Sequence, residues 1–176
     1  MEIYLVRHTE TICEKGICYG QADVDLREPY LQEFEKIKQQ LPLLKEIPVF
    51  SSPLKRCTQL ADFLSNGDFQ TDARLMEMHF GDWELQSWDE IPKEPLNKWM
   101  EDFVSVQVPH GESFVLLYDR VRSFIEDLKR KNIKKVLIIT HAGVIRSFLC
   151  YQQNLPLQDA FQNKCNFGAI FKIILK

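Results

Sequence analysis

The stretch EIYLVRHT (2–9) decides the fold, because a short apolar run ends abruptly in three polar residues. A run of this length, apolar and rich in strand-forming residues, is typical of a strand covered on both faces of a sheet. The run KKVLIIT (134–140) has the same character, and VFSS (49–52) is a shorter version. The sequence therefore predicts buried strands, with Arg7 and His8 where the first strand reaches solvent.

Longer segments with helical periodicity separate these strands. Apolar residues recur three or four positions apart over 31–44 and again over 116–131, which predicts two amphipathic helices. Strands that alternate with helices form parallel βαβ units. The run FGAIFKIIL (167–175) predicts a further strand near the end of the chain. We therefore expect an α/β fold with a mostly parallel sheet.

Length and composition narrow the class of protein. A chain of 176 residues suits one domain, here 1–176, and its net charge of −3 gives no general attraction for nucleic acid or acidic membranes. No apolar run approaches the roughly 20 residues that a membrane span needs. The five cysteines are odd in number and irregularly spaced, which favours free thiols and no metal site. We expect a cytoplasmic protein without cofactor.

The segment from about 76 to 114 differs from the rest of the chain. It contains all three tryptophans, and its sequence predicts two short helices around WDEI (88–91) and LNKWMEDF (96–103). Such a segment is either a cap packed over one end of the sheet or an insertion that completes the core. Composition alone does not separate these two alternatives.

Four residues whose side chains can bind anions each lie just after a predicted strand. Arg7 and His8 follow the first strand, His141 follows the strand at 134–140, and Arg56 lies just beyond VFSS, where Ser52 is a candidate helix cap. Ligands of parallel α/β sheets bind outside the carboxyl ends of the strands. We therefore expect these side chains to converge on one edge, although each alone is more often a solvated charge or a packed histidine.

The chemistry that suits this group is phosphoryl transfer. Two guanidiniums can hold phosphate oxygens in charge-assisted pairs, and a neutral imidazole can attack phosphorus covalently. The leaving alkoxide then needs a proton from a carboxyl group. By residue type alone the candidates are Glu77 and its rivals Asp82, Glu84 and Glu112.

Five motifs, taken together, resemble the histidine phosphatase superfamily, also called the phosphoglycerate mutase-like family: VRHTET, SSPLKRC, LMEMHFGDWE, PHGESF and THAGVIR, in that order. The resemblance implies a three-layer α/β/α fold with no metal and a small phosphate monoester as substrate. It implies that His8 is transiently phosphorylated, that Arg7, Arg56 and His141 complete the phosphate pocket, and that Glu77 is the proton donor.

Within the superfamily, GICYGQADVDL (16–26), LMEMHFGDWE and WDEI are most similar to alpha-ribazole phosphatases, which act on alpha-ribazole 5′-phosphate in cobalamin assembly. This resemblance implies substrate-binding roles for five residues: Thr9, Tyr19, Gly20, Gln21 and Ala142. Tyr19, Gly20 and Gln21 would lie beside the pocket mouth, with Gln21 able to bond a phosphate or sugar oxygen. Trp88 and Trp99 are either stacking partners for an aromatic base or core residues.

Several positions depart from the family pattern, including Thr9, Glu14, Leu85 and the first helix, which lacks the usual glycine and alanine near Tyr30 and Phe34. Thr9 replaces a usual glycine, which predicts an ordinary φ at this position. Glu14 stands where many relatives have asparagine, and we expect its carboxylate to turn away from the phosphate. Leu85 replaces a common glycine after the GDWE stretch.

Several alternatives to this interpretation stay open. A sugar-phosphate or broad-specificity phosphatase would keep the same five core residues. A mutase is disfavoured, since segment 76–114 has only Lys93 and Lys98 to hold a second phosphoryl group. A catalytically silent binding module is a weaker alternative because all five core residues are present. Cys57, next to Arg56 and a helix start, is either a redox-sensitive thiol or a packing residue.

Overall fold

The computed structural model describes residues 1–45 and 47–175. Five strands form one sheet: β1 (Glu2–Arg7), β2 (Val49–Ser51), β3 (Gln70–Thr71), β4 (Lys135–Thr140) and β5 (Ile170–Ile174). Five α-helices surround it: α1 (Tyr30–Gln40), α2 (Lys55–Ser65), α3 (Lys93–Glu101), α4 (Phe114–Arg130) and α5 (Ala142–Gln153). No helix in these ranges is long and apolar enough to cross a membrane.

The sheet has the strand order β3-β2-β4-β1-β5. The first four strands are parallel to their neighbours, and β5 pairs with β1 in the antiparallel sense. The register aligns Arg7 with Thr140, the last residues of β1 and β4. The residues that follow β1, β2 and β4 therefore share one edge of the sheet, as predicted.

Helices cover both faces of the sheet, which confirms the three-layer α/β/α arrangement. Successive side chains of a strand point to opposite faces, and β1 shows this directly. Ile3 and Leu5 pack into a core cluster with α4 and α5, whereas Val6 packs into a second cluster with α1 and α2. An apolar run without polar alternation is what a strand needs when both of its faces are buried.

The two predicted helices are present with shifted ends. The helix predicted over 31–44 is α1, which ends at Gln40 because Leu41 precedes Pro42 and has extended backbone angles. The helix predicted over 116–131 is α4, which begins at Phe114. The final strand, predicted from 167, begins only at Ile170 because Phe167 and Gly168 lie in a turn.

The segment 76–114 contains one α-helix instead of two. The prediction of a helix around WDEI (88–91) is wrong: these residues form turns, since Ser87 pairs with Ile17 in a β-bridge and Pro92 follows directly. The second predicted helix is present as α3, three residues earlier at its start. Its Trp99 stacks on Trp88 with ring centroids 6.0 Å apart, and both pack against the core cluster that contains α4 and α5.

Candidate active site

A cavity of about 300 Å³ opens at the carboxyl edge of the sheet. All five residues predicted to be catalytic line it: Arg7, His8, Arg56, Glu77 and His141. A larger groove of about 810 Å³ lies at the amino ends of β2 and β3 and contains none of them. The topology thus brings Arg7 of the motif VRHTET close to His141 of the motif THAGVIR, although the two residues are 134 positions apart in the sequence.

His8 is buried and held in one orientation. Its Nδ1 lies 2.7 Å from the carbonyl oxygen of Thr9, and because a carbonyl only accepts, Nδ1 carries the hydrogen and Nε2 keeps a lone pair. Burial lowers the pKa of His8 well below its ordinary value of 6.5, and the positive charges of Arg56 and Arg7 lower it further. His8 is therefore a neutral imidazole with Nε2 available as a nucleophile.

Arg7 is fixed by the chain segment that precedes β5. Its Nη1 donates to the carbonyl oxygen of Cys165 at 2.5 Å, and its guanidinium carbon lies 3.9 Å from the centroid of the Phe167 ring. Burial lowers the pKa of Arg7, but a guanidinium stays protonated in a protein and Arg7 therefore remains charged. Arg7 thus places a fixed positive charge beside His8.

Arg56 also lines the cavity; it is fully buried, near the start of α2. Its two terminal nitrogens donate to the carbonyl oxygens of Gly20 at 2.5 Å and Ala22 at 2.8 Å. Its Nε, like the Nε of Arg7 and the hydroxyl of Thr9, is buried without a hydrogen-bond partner. Buried donors are normally paired, so three unpaired donors around one histidine indicate a place for an anion.

His141 faces His8 across the site, with ring centroids 5.1 Å apart. Its Nε2 lies 2.8 Å from the hydroxyl oxygen of Ser52. The prediction that Ser52 caps a helix is wrong: α2 begins after Leu54, and the Ser52 hydroxyl binds His141 instead. Burial, followed by the charge of Arg56, lowers the pKa of His141 well below 6.5. His141 is therefore also neutral.

Cys57 packs against His141, with its Sγ 3.5 Å from Nε2. Burial raises the pKa of the Cys57 thiol, an effect larger than the opposing influence of Arg56. This direction argues against a reactive thiolate and favours the packing role. All five cysteines are free, as predicted.

Glu77 reaches the cavity from the start of segment 76–114. One carboxylate oxygen accepts from the backbone N–H of Met78 at 2.9 Å, and the other accepts from that of Gly143 at 3.1 Å. A Cβ at position 143 would lie 2.3 Å from Glu77 Oε1, so this contact requires glycine. Two hydrogen bonds leave free lone pairs on the carboxylate for proton transfer.

Glu84, a rival for the role of acid, holds the chain around Arg56 instead. Its carboxylate accepts hydrogen bonds from four backbone N–H groups, those of Gly20, Gln21, Ala22 and Phe80, at 2.8 to 3.1 Å. Gly20 and Ala22 supply the carbonyl oxygens that hold Arg56. Glu84 therefore positions Arg56 through the backbone, and it does not line the cavity.

The other two rivals are also engaged outside the cavity. Glu112 forms an ion pair with Arg120 at 2.8 Å and accepts from the backbone N–H of His79. Asp82 pairs with the exposed ring of His110. Glu77 is the candidate acid that lines the cavity.

The predicted substrate-binding residues lie in different places. Tyr19 lines the cavity, and its hydroxyl accepts from Thr11 at 3.0 Å. Gly20 and Gln21 do not line it: Gly20 holds Arg56, and the Gln21 side chain donates to the backbone oxygen of Glu77 at 3.0 Å. Thr9 has the ordinary φ that was predicted. Ala142 is buried at the first position of α5.

Some residues of the cavity were not predicted from sequence. Phe80 and Phe167 line it beside Trp88, and Glu14, which was expected to turn away, is exposed among the lining residues with Lys15. Phe167 follows the last quoted motif by about 20 residues. Only its position just before a strand at the site edge could have indicated it.

Comparison with known proteins places this geometry in a family. A family model described as histidine phosphatase superfamily (branch 1) matches residues 3–175. The chain belongs to the histidine phosphatase superfamily. The fold and the resemblance predicted from sequence are thereby confirmed, and members of this superfamily act as phosphatases.

Three superfamily members illustrate the range of similarity. A metal-independent phosphoserine phosphatase of Arabidopsis thaliana is 32% identical and covers 83% of this chain and 66% of the relative. An adenosylcobalamin/alpha-ribazole phosphatase of Salmonella typhimurium is 28% identical, and the match covers 96% of this chain and 87% of the relative. The crystal structure of the alpha-ribazole phosphatase from Shigella flexneri superposes with a TM-score of 0.88 at 24% identity, over 100% of this chain and 91% of the other, which shows the shared fold.

Within residues 1–45 and 47–175, no group of three or more His, Cys, Asp or Glu side chains is arranged to hold a metal ion.

Proposed function

We propose that this histidine phosphatase hydrolyses phosphate monoesters through a phosphohistidine at His8. The observation that carries the proposal is the state of His8: Nδ1 is committed to Thr9, and Nε2 keeps its lone pair while the charges of Arg56 and Arg7 act on the ring. A neutral imidazole beside fixed positive charges is suited to attack a phosphoryl group that already carries negative charge.

In the first half-reaction, Nε2 of His8 forms a bond to phosphorus while the ester P–O bond breaks. Glu77, in its protonated form, donates its proton to the leaving oxygen, so that an alcohol departs and a carboxylate remains. Arg7 and Arg56 hold the phosphoryl oxygens. His141, neutral and hydrogen-bonded to Ser52 through Nε2, contributes a further contact to the phosphoryl group.

In the second half-reaction, the carboxylate of Glu77 accepts a proton from a water molecule as the water oxygen bonds to phosphorus. The P–N bond to His8 breaks, and its electron pair returns to Nε2. Inorganic phosphate leaves, and both His8 and Glu77 return to their starting protonation states.

The substrate that we propose is alpha-ribazole 5′-phosphate. Aromatic side chains line the cavity beside the phosphate pocket, among them Tyr19, Phe80 and Trp88, and such rings suit a flat heterocyclic base. Trp99 packs behind Trp88 and does not line the cavity. The names of the Salmonella typhimurium and Shigella flexneri proteins support the same assignment. A sugar-phosphate or broad-specificity phosphatase stays the alternative.

Phosphoserine is a second candidate substrate. Glu14 and Lys15, which carry opposite charges, both line the cavity, and their side chains suit the ammonium and carboxylate groups of an amino acid. The relative from Arabidopsis thaliana is named as a phosphoserine phosphatase.

The experiment that separates these candidates is phosphate release, measured with EDTA present, from alpha-ribazole 5′-phosphate, phosphoserine, sugar phosphates and phosphoglycerates. We expect the highest kcat/KM with alpha-ribazole 5′-phosphate and no release by the His8→Ala variant. Preference for phosphoserine would replace the substrate but keep the mechanism. Release that persists in His8→Ala would overturn the phosphohistidine mechanism.

A further inference from the structure

Phe167 occupies a position at the active site that none of the five motifs describes. Its ring centroid lies 5.6 Å from that of His8, and it covers the Arg7 guanidinium at 3.9 Å. It lines the cavity, and yet 40% of its surface is exposed. The ring therefore borders both the cavity and solvent, next to two residues of the phosphate pocket.

The chain around Phe167 is tied to β1 at three points. The carbonyl oxygen of Cys165 accepts a hydrogen bond from the Arg7 side chain. The backbone N–H of Gly168 donates to the carbonyl oxygen of His8 at 3.1 Å, and the backbone N–H of Arg7 donates to the carbonyl oxygen of Ala169 at 3.0 Å. Gly168 has a φ of +69°, in the left-handed region that favours glycine. These contacts hold the backbone of the turn that carries Phe167.

A guanidinium and an aromatic ring at this separation attract each other through a cation–π interaction. Arg7 occupies one face of the Phe167 ring, and the exposure of the ring leaves apolar surface directed outwards. An apolar ring offers no hydrogen bond to the polar groups of a leaving group. It does offer a stacking surface to a flat apolar one.

We propose that Phe167 determines specificity by packing against the leaving group, and that it makes the enzyme select phosphate monoesters whose leaving group contains a flat, apolar ring. This inference rests on the proposed function for the placement of the phosphate between the two arginines. It goes further by naming the residue that selects the substrate class.

The test compares the binding of two phosphonates that the enzyme cannot hydrolyse, phenylphosphonate and methylphosphonate, by isothermal titration calorimetry. The wild-type protein should bind phenylphosphonate about 10-fold more tightly, in line with a single stacking contact. Phe167→Ala should remove most of this preference and leave methylphosphonate binding within about 2-fold. Phe167→Trp, which keeps a flat ring, should restore the preference.

Phe161→Ala is the matched control, because Phe161 is also an exposed phenylalanine on an arginine, with the guanidinium carbon of Arg146 4.5 Å from its ring, but it does not line the cavity. It should leave both affinities unchanged. Equal weakening of both phosphonates by Phe167→Ala would show that the ring acts only through Arg7, and no weakening would show that the ring is idle; either result overturns the proposal.

The binding measurement needs no turnover, so it separates this inference from the proposed function. If both phosphonates bind as expected while no ester is hydrolysed, the specificity role stands and the phosphohistidine mechanism fails. If neither phosphonate binds to the wild-type protein, there is no phosphate pocket at this site, and both proposals are overturned.

Discussion

The two buried histidines should make the protein lose stability in mild acid. His8 and His141 have folded-state pKa values well below 6.5, mainly because burial disfavours the charged imidazolium. In the unfolded chain both titrate near 6.5. Between these values the unfolded state binds more protons than the folded state, so stability is fully present above about pH 6.5 and falls as the pH decreases below it.

The size of the stability loss follows from the one extra proton that each histidine binds in the unfolded state. Each histidine that stays neutral in the fold costs about 1.4 kcal/mol of stability for every pH unit below 6.5. Two histidines that both stay neutral down to pH 5.5 lower the free energy of unfolding by about 2.7 kcal/mol between pH 7.5 and 5.5, which is the upper bound and a large part of the total for a typical domain. Carboxylates with lowered pKa values, such as Asp72 and Glu112, contribute only at lower pH.

The assay is urea denaturation at pH 7.5, 6.5 and 5.5. His8→Gln should halve the dependence of stability on pH, and the double variant with His141→Gln should nearly abolish it, whatever the stability of each variant at pH 7.5. Ser147→Ala, which changes a buried polar residue that does not titrate, is the control and should keep the wild-type dependence. A double variant that still loses about 2.7 kcal/mol would refute the reasoning.

Three further substitutions test individual contacts. Leu85→Gly should raise the free energy of unfolding, measured by urea denaturation, by about 1 kcal/mol. Leu85 is exposed and has a φ of +65°, which strains a leucine backbone but not a glycine. A loss of stability would show that position 85 is not strained. Glu77→Gln should lower kcat about 100-fold or more for alkyl phosphates but much less for p-nitrophenyl phosphate, whose leaving group needs no proton; equal losses would remove Glu77 as the acid. Glu84→Gln should lower stability by about 2 kcal/mol, because four backbone N–H groups lose a charged acceptor. It should also raise KM, because the backbone that holds Arg56 is loosened. An unchanged KM would show that Gly20 and Ala22 hold Arg56 without Glu84.

The sequence predicted the parts of the fold that depend on strong local patterns. The runs at 2–7 and 134–140 are buried on both faces and could be read directly as parallel strands, and the residues after them had to share one edge. The same reasoning placed Arg7, His8 and His141 together. That prediction requires only the direction of each strand and the residue at which the strand ends. It does not depend on the orientation of any side chain.

Predictions failed where a distant contact overrides the local pattern. The sequence predicts a helix around 88–91, but the bridge from Ser87 to Ile17 and the proline at 92 prevent one. Ser52 is a good cap by residue type, yet its hydroxyl binds His141, which is 89 residues away. The position of Phe167 depends on a turn tied to β1, and no local pattern reports a contact of this kind.

The most direct test of the central claim is to trap the covalent intermediate. The enzyme is mixed with substrate, quenched in alkali within milliseconds, where phosphohistidine survives, and analysed by peptide mass spectrometry. The phosphohistidine mechanism predicts one added phosphoryl group on the peptide that contains His8. With p-nitrophenyl phosphate, whose leaving group needs no proton, this group should be present in Glu77→Gln and absent from His8→Ala. A phosphoryl group on any other residue, or rapid release of product without a labelled peptide, would contradict it.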